Sequence, residues 1–137
     1  MSKAARGSRK GQAMLEGALV TLILAAVLIG IFDLGLVLFI HQTFVARARS
    51  AVRYAIVNTY DVTAIQNMVL YGHPTAGTAG MFNLTAGMVS VSRQDAGTSE
   101  QRIVVTISGY PYRFFSPWIA GVMTGRPIIA SLPLETP

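Results

Sequence analysis

Residues 10–39 read KGQAMLEGALVTLILAAVLIGIFDLGLVLF, and this stretch decides what the rest of the chain can be. From Gly17 to Ile40 there are 24 residues, of which Asp33 is the only ionisable one. An α-helix of that length extends about 36 Å, whereas the hydrocarbon core of a bilayer is about 30 Å thick. The sequence therefore predicts a transmembrane segment at about residues 17–40, with the lipid bilayer as a partner.

Positive charge is concentrated at the N-terminus. The formal net charge is +5, but four of the eleven basic residues precede Gly11 and no acidic residue does. Beyond Gly11, seven arginines stand against six acidic residues, a net charge of +1. Because a nucleic-acid-binding domain carries its basic residues on the folded part, nucleic acid is not an expected partner.

The basic leader, residues 1–11, predicts a cytoplasmic N-terminus and an extracytoplasmic C-terminus. It lacks apolar periodicity, and we expect it to be disordered.

Two simple interpretations compete for the apolar run. Ala46-Arg47-Ala48 has the small-x-small form of a signal-peptidase site, but the run is far longer than the roughly 7–15 apolar residues of a secretory signal. A plain membrane anchor fits the length. It gives no reason, however, for an acid at Glu16, five residues after a glycine and at the start of the membrane segment.

Three stretches carry a family resemblance. Residues 11–16, GQAMLE, resemble the processing site of type IV pilin-like precursors, and residues 30–35, GIFDLG, and 48–55, ARSAVRYA, resemble motifs of the TadE-like pseudopilins. Those are minor pilin-like subunits of the tight-adherence (Tad, or Flp) pilus. The resemblance implies that a prepilin peptidase cuts between Gly11 and Gln12, which makes Glu16 the fifth mature residue. The sequence departs from the family pattern at Gly17, where an aromatic or large residue is usual.

The polar and small residues of the apolar run have physical interpretations of their own. A carboxylate at Glu16 complements the dipole of a helix that begins at Gln12, and it can pair with the new α-amine of a neighbouring subunit. The alternative is a glutamate solvated by headgroups. Gly17, Thr21 and Ala25 recur every four residues, a spacing that favours close helix packing in lipid and is also ordinary membrane-helix composition. Asp33 has no partner on its own helix, and we expect it to pair with a basic group of another subunit or to reach the headgroups.

The remaining sequence predicts a small α+β domain, residues 59–137, after a long helix over residues 12–58. Apolar residues of the helix recur on one face beyond the membrane: Phe44, Ala48, Ala51, Val52 and Ala55. Further along we expect a helix over residues 62–71 capped by Asp61, strands over residues 88–93, 102–109 and 128–132, and a short helix from Ser116 to about Thr124. The aromatic residues of 110–118 are expected to fill the core, and the alternative is an adhesive or partner-binding surface. The fold expected is pilin-like: a long N-terminal helix, membrane-spanning in its first half, packed on a small antiparallel sheet of about three strands.

Nothing in the sequence points to an enzyme. It has no cysteine and only two histidines, and it lacks nucleophile, zinc-protease and phosphate-binding motifs, so no cofactor, metal or small-molecule substrate is expected. The leading hypothesis is a peptidase-processed pseudopilin of the bacterial inner membrane, needed for biogenesis of a tight-adherence pilus and incorporated into it. Its expected partners are the prepilin peptidase, other pilins or pseudopilins, and pilus assembly proteins. The alternative is an unprocessed single-pass protein whose outer domain binds an envelope partner.

Overall fold

The structure is a computed structural model that describes residues 4–98, 100–119 and 121–134, with side chains from Gly11 onward. Its residues form two compact units. The first contains the N-terminal helix up to Leu36 together with the segment that begins at Phe114, and the second contains Val37–Arg113 and the chain from Gly121. Each unit is described separately below.

The first helix, α1, is Ala4–Val57. Within it, Gly11–Val57 is long and apolar enough to cross a membrane, with a mean hydropathy of 2.8 over its most apolar window. The helix end agrees with the prediction. The expected disorder is wrong for residues 4–11 of the leader, because α1 begins at Ala4; residues 1–3 lie outside the described residues. The leader is rich in Ala, Arg and Lys, which favour helix, and extending an existing helix costs far less than nucleating one.

Two parts of α1 have opposite surroundings. In the membrane part, Gly11–Leu36, the large apolar side chains are exposed, as lipid-facing residues are. In the distal part, Val37–Val57, the predicted apolar face is buried in the core of the second unit: Phe44, Ala48, Ala51, Val52 and Ala55. Three of these five are alanines, whose small side chains allow close packing against the helix backbone.

The second helix, α2, is Val62–Leu70, and Asp61 caps it as predicted. The backbone N–H of Thr63 donates to Asp61 Oδ1 at 2.8 Å, which satisfies one of the free amides of the first turn. Gly72 follows the helix with a φ of +83°, and a Cβ there would collide with the guanidinium of Arg47. The backbone conformation therefore requires glycine at this position, whereas the guanidinium is the end of a flexible side chain that could move aside.

Three antiparallel strands form the main sheet, as predicted. They are β1, Val89–Gln94, β2, Arg102–Ile107, and β5, Ile128–Pro133, in the spatial order β1-β2-β5. Strand β2 is central, and four of its six residues are buried. Val91 pairs with Val105, and Val105 pairs with Ala130. The sheet and the distal part of α1 confirm the α+β fold.

The predicted helix from Ser116 to Thr124 is wrong. The structure has two short strands instead, β3, Pro111–Tyr112, and β4, Met123–Thr124, which pair with each other. Ser116 is not a helix cap, since no helix follows it in the described part of the chain, and its backbone N–H donates to Asp33 instead. The residues that follow Pro117 include β-branched side chains and two glycines, which disfavour a helix when no packing compensates for them.

Candidate functional site

The predicted processing residues lie on the exposed surface of α1. Gly11, Gln12 and Glu16 are all exposed, and Gln12 and Glu16 are about 6 Å apart along the helix axis. A Cβ at Gly11 would meet nothing within 4 Å, so the fold itself does not require glycine there. The structure therefore leaves these residues free for a peptidase or another subunit.

The predicted packing seam, Gly17, Thr21 and Ala25, is also exposed. Thr21 Oγ1 donates to the carbonyl oxygen of Gly17 at 2.8 Å, so its hydroxyl is satisfied inside the helix. A Cβ at Gly17 would meet nothing within 4 Å. No contact within the described chain explains the glycine, and its role in packing against another helix stays a prediction.

Asp33 is the one charged residue of the membrane part that the structure buries, with 2% of its surface exposed. The backbone N–H of Phe115 donates to Asp33 Oδ1 at 2.7 Å, and that of Ser116 donates to Oδ2 at 2.9 Å. A carboxylate that accepts two amide hydrogen bonds gains more than it would from neutral partners, because the ionised acceptor strengthens both bonds. Asp33 thus fastens the segment Phe115–Ile119, named here the docked segment, to the membrane part of α1.

Sequence analysis missed this partner because it lies more than 80 residues away and is backbone rather than side chain. A basic group on another subunit or the headgroups were the expected partners, whereas both carboxylate oxygens are bonded within the chain. Two signals pointed to the contact. One is an intramembrane acid without a helical partner, and the other is a proline-containing aromatic segment that lacks clear periodicity.

The aromatic cluster of residues 110–118 divides into two groups. Tyr112 is buried and Tyr110 is half-buried, which agrees with the expected core role. Tyr110 packs edge-on against Phe44, with ring centroids 4.7 Å apart, and its hydroxyl donates to the carbonyl oxygen of Phe82. The prediction is wrong for Phe115 and Trp118, which are 75% and 56% exposed. They belong to the docked segment.

Burial also governs the tyrosine hydroxyls of the second unit. Removal from water raises the pKa of Tyr110 above its ordinary value, and it raises the pKa of Tyr112 in the same way. Both groups therefore remain neutral at physiological pH. His41 Nδ1 lies 3.3 Å from the Tyr112 hydroxyl, so His41 is tied to the folded domain rather than solvated at the membrane surface.

A groove of about 680 Å³ runs between the distal part of α1 and strand β5. His41, Arg49 and Arg53 line its helical side, and residues 127–132 line the other. Strand β5 is an edge strand, so one row of its backbone groups faces away from β2. Among the described residues, no cluster of three His, Asp or Glu side chains is placed to hold a metal ion.

Comparison with known proteins adds one match. A family model described as TadE-like protein matches residues 11–53, which is consistent with a TadE-like protein of the Tad pilus system. That family consists of pilus structural components and not of enzymes. No curated protein and no solved structure matches the chain. The match supports a pilin-like, Tad-pilus-associated protein, and the apolar helix supports a single-pass membrane anchor.

Proposed function

We propose that this chain, a pilin-like protein by its match over residues 11–53, is a minor pseudopilin that a prepilin peptidase cuts after Gly11 and that pilus biogenesis requires. The observation that carries the proposal is the position of the match, which begins at Gly11 and runs through the whole apolar part of α1. The small α+β domain is then the part displayed outside the cytoplasm, in the orientation that the basic leader predicts.

The geometry around Gly11 supports cleavage at that residue. The bond between Gly11 and Gln12 lies within α1, so a peptidase must unwind the helix locally to reach it. Glycine weakens a helix by about 1 kcal/mol relative to alanine, which favours local opening at Gly11. Both residues are exposed, so no other part of the described chain obstructs access.

Cleavage gives Glu16 a function that it lacks in the precursor. The new α-amine of Gln12 would begin α1, and Glu16 would stand in its first turns, where a carboxylate complements the helix dipole. Because Glu16 is exposed, it is available to the amine of a neighbouring subunit. The exposed seam of Gly17, Thr21 and Ala25 lies directly beyond it and would let that neighbour's helix approach closely.

Substitution at the two leader glycines tests the proposed cut. We expect wild-type protein from native membranes to begin at Gln12 by intact-mass analysis, and we expect Gly11→Lys to keep the leader, because a long side chain obstructs the scissile bond. Gly7→Lys is the matched control, since it adds the same charge to the same leader. It should mature normally. Maturation of Gly11→Lys at the wild-type position would overturn the assigned site.

The groove beside β5 favours a second candidate function. Its edge strand and its two arginines suit an extended, acidic segment of an envelope protein, which would bind by strand addition. In that case the chain is an unprocessed single-pass anchor for a complex. A wild-type mass that retains residues 1–11 would support this alternative and contradict the pseudopilin.

A further inference from the structure

The docked segment displays apolar side chains that nothing in the described chain covers. Phe115, Trp118 and Ile119 are all exposed, and Pro117 between them adds a further apolar surface. Large aromatic residues are rarely left on the surface in such a short run without a partner. We therefore expect these exposed side chains to contact molecules outside the isolated chain.

The position of the docked segment along α1 indicates what those molecules are. Asp33 lies seven residues before Ile40, about 10 Å inside the predicted end of the membrane span. On the same face of the helix Ala26, Ile29 and Gly30 are half-buried, while their lipid-facing neighbours are exposed. The ring of Phe115 packs edge-on against Phe32, itself an exposed residue of the span, with centroids 6.5 Å apart. The apolar surface of the segment is thus continuous with the surface of α1 that faces lipid.

The first three residues of the segment have no free backbone N–H to place in an apolar solvent. Non-helical backbone is tolerated at membrane depth only when its polar groups are satisfied. The N–H groups of Phe115 and Ser116 both donate to Asp33, and Pro117 has no N–H to satisfy. Three consecutive residues therefore present no free amide donor. Without Asp33, two amides would lack a partner in lipid, where an unpaired N–H is strongly unfavourable.

We propose that the docked segment is a second membrane-inserted element, which places Phe115, Trp118 and Ile119 in the bilayer leaflet at the C-terminal end of the span. Asp33 is its positioning residue, because it holds the segment through two backbone bonds. Tryptophan suits this place, since its ring is apolar and its indole N–H reaches the headgroups. The proposal does not depend on cleavage after Gly11 or on pilus assembly.

Trp118 is the only tryptophan of the chain, so its intrinsic fluorescence reports on the segment directly. The full-length protein is reconstituted without any partner into vesicles that contain brominated phosphatidylcholine, which quenches only tryptophans in contact with lipid. We expect blue-shifted emission, strong quenching by the brominated lipid and weak quenching by aqueous acrylamide. Strong acrylamide quenching would place the segment in water and overturn the proposal. Shielding from both quenchers would show a second copy of the chain on the segment and would overturn it equally.

Two tryptophan transplants provide matched controls. In a Trp118→Phe background, Val57→Trp places the probe at the exposed end of α1, about 25 Å beyond Ile40 along the helix. That variant should be quenched by acrylamide and not by brominated lipid. In the same background, Phe115→Trp tests the other end of the segment and should show the lipid-quenched pattern. An acrylamide-quenched Phe115→Trp would contradict insertion even if Trp118 itself were lipid-facing.

Asp33→Ala tests the positioning role with Trp118 retained. We expect its Trp118 to lose lipid quenching and become accessible to acrylamide, while the membrane part of α1 stays inserted, as reported by resistance to alkaline extraction. An unchanged quenching pattern in Asp33→Ala would show that the segment is held by its apolar side chains alone, and the role assigned to Asp33 would be wrong.

Discussion

The membrane part and the distal part of α1 are one continuous helix, yet they reverse the usual relation between polarity and burial. In the distal part Phe44 is 1% exposed and the polar side chains point outward. In the membrane part Leu22 is 68% exposed, and the charged residue Asp33 is the buried one. The difference teaches that burial within a chain identifies stabilising residues only when the solvent is water. Where lipid is the solvent, the polar groups are the ones that indicate structural and functional sites.

The largest expected effect concerns the apolar side chains, which are buried in the distal part of α1 and exposed in the membrane part. Phe44→Ala should lower the free energy of unfolding of the second unit by about 3–5 kcal/mol, because it removes a buried ring and leaves a cavity. Leu22→Ala removes a large side chain from the same helix where it faces lipid, and it should leave that free energy within about 0.5 kcal/mol of wild type. Urea unfolding of the detergent-solubilised protein measures both. Equal losses of unfolding free energy in the two variants would contradict the contrast between the buried distal part and the exposed membrane part.

Glu16→Gln tests a polar group at the start of the membrane part. The substitution keeps the size and the hydrogen bonding but removes the charge. If Glu16 pairs with a neighbouring amine where water is scarce, the loss should approach the roughly 3–5 kcal/mol of a broken buried pair rather than the 0–1 kcal/mol of an exposed one. We expect a processed, membrane-retained protein with reduced pilus assembly and partner co-purification. Normal assembly would favour a glutamate solvated by headgroups.

Asp33→Asn tests a polar group that is bonded within the chain. Asparagine offers one acceptor oxygen where aspartate offers two, so one of the two amides loses its partner at a cost of about 1–3 kcal/mol. Hydrogen exchange at the amide that loses its partner, that of Phe115 or Ser116, should then quicken by about 5- to 150-fold, since 1.4 kcal/mol corresponds to a factor of ten. Thr21→Val removes a hydroxyl whose bond merely supplements the helix, and it should leave exchange in the docked segment unchanged. Identical hydrogen exchange in both variants would contradict the proposed role of Asp33 in holding the docked segment.

The smallest expected effect concerns the pH dependence of the second unit. Burial raises the pKa of Tyr110 and Tyr112, so the folded state keeps their protons at a pH where the unfolded chain has begun to lose them. The stabilisation is complete below the ordinary tyrosine value of about 10 and is lost as the pH rises above it. Tyr112→Phe should make unfolding stability fall less steeply in that range, as measured by alkaline urea titration. An equal slope would exclude burial of this hydroxyl as a cause.

Local patterns predicted most of this structure. The apolar face from Phe44 to Ala55, the Asp61 cap and the three strands depend on neighbours within a few residues, which the sequence displays directly. The partner of Asp33 and the exposure of Trp118 depend on a contact that is distant in sequence, and no periodicity announces it. The error at Ser116 has the same origin. A serine before a proline resembles a helix start, but the backbone at Ser116 is held by a hydrogen bond to Asp33, 83 residues away, which the local sequence does not show. The processing residues are exposed on α1, inside the helix rather than after a disordered leader, and their roles stay predictions.

The sequence separation of 82 between Asp33 and Phe115 also imposes an order of events on biogenesis. A ribosome that adds roughly 5–20 residues per second makes Phe115 about 4–16 s after Asp33, whereas a helix of about 20 residues forms within about a microsecond. For several seconds, therefore, the membrane helix exists while Phe115 and Ser116 have not yet been made, and Asp33 lacks its two amide donors. Every nascent chain passes through this state, and a chain that stops short of Phe115 never leaves it. The bonds to Asp33 thus form late in synthesis, once the chain has been extended past Ser116.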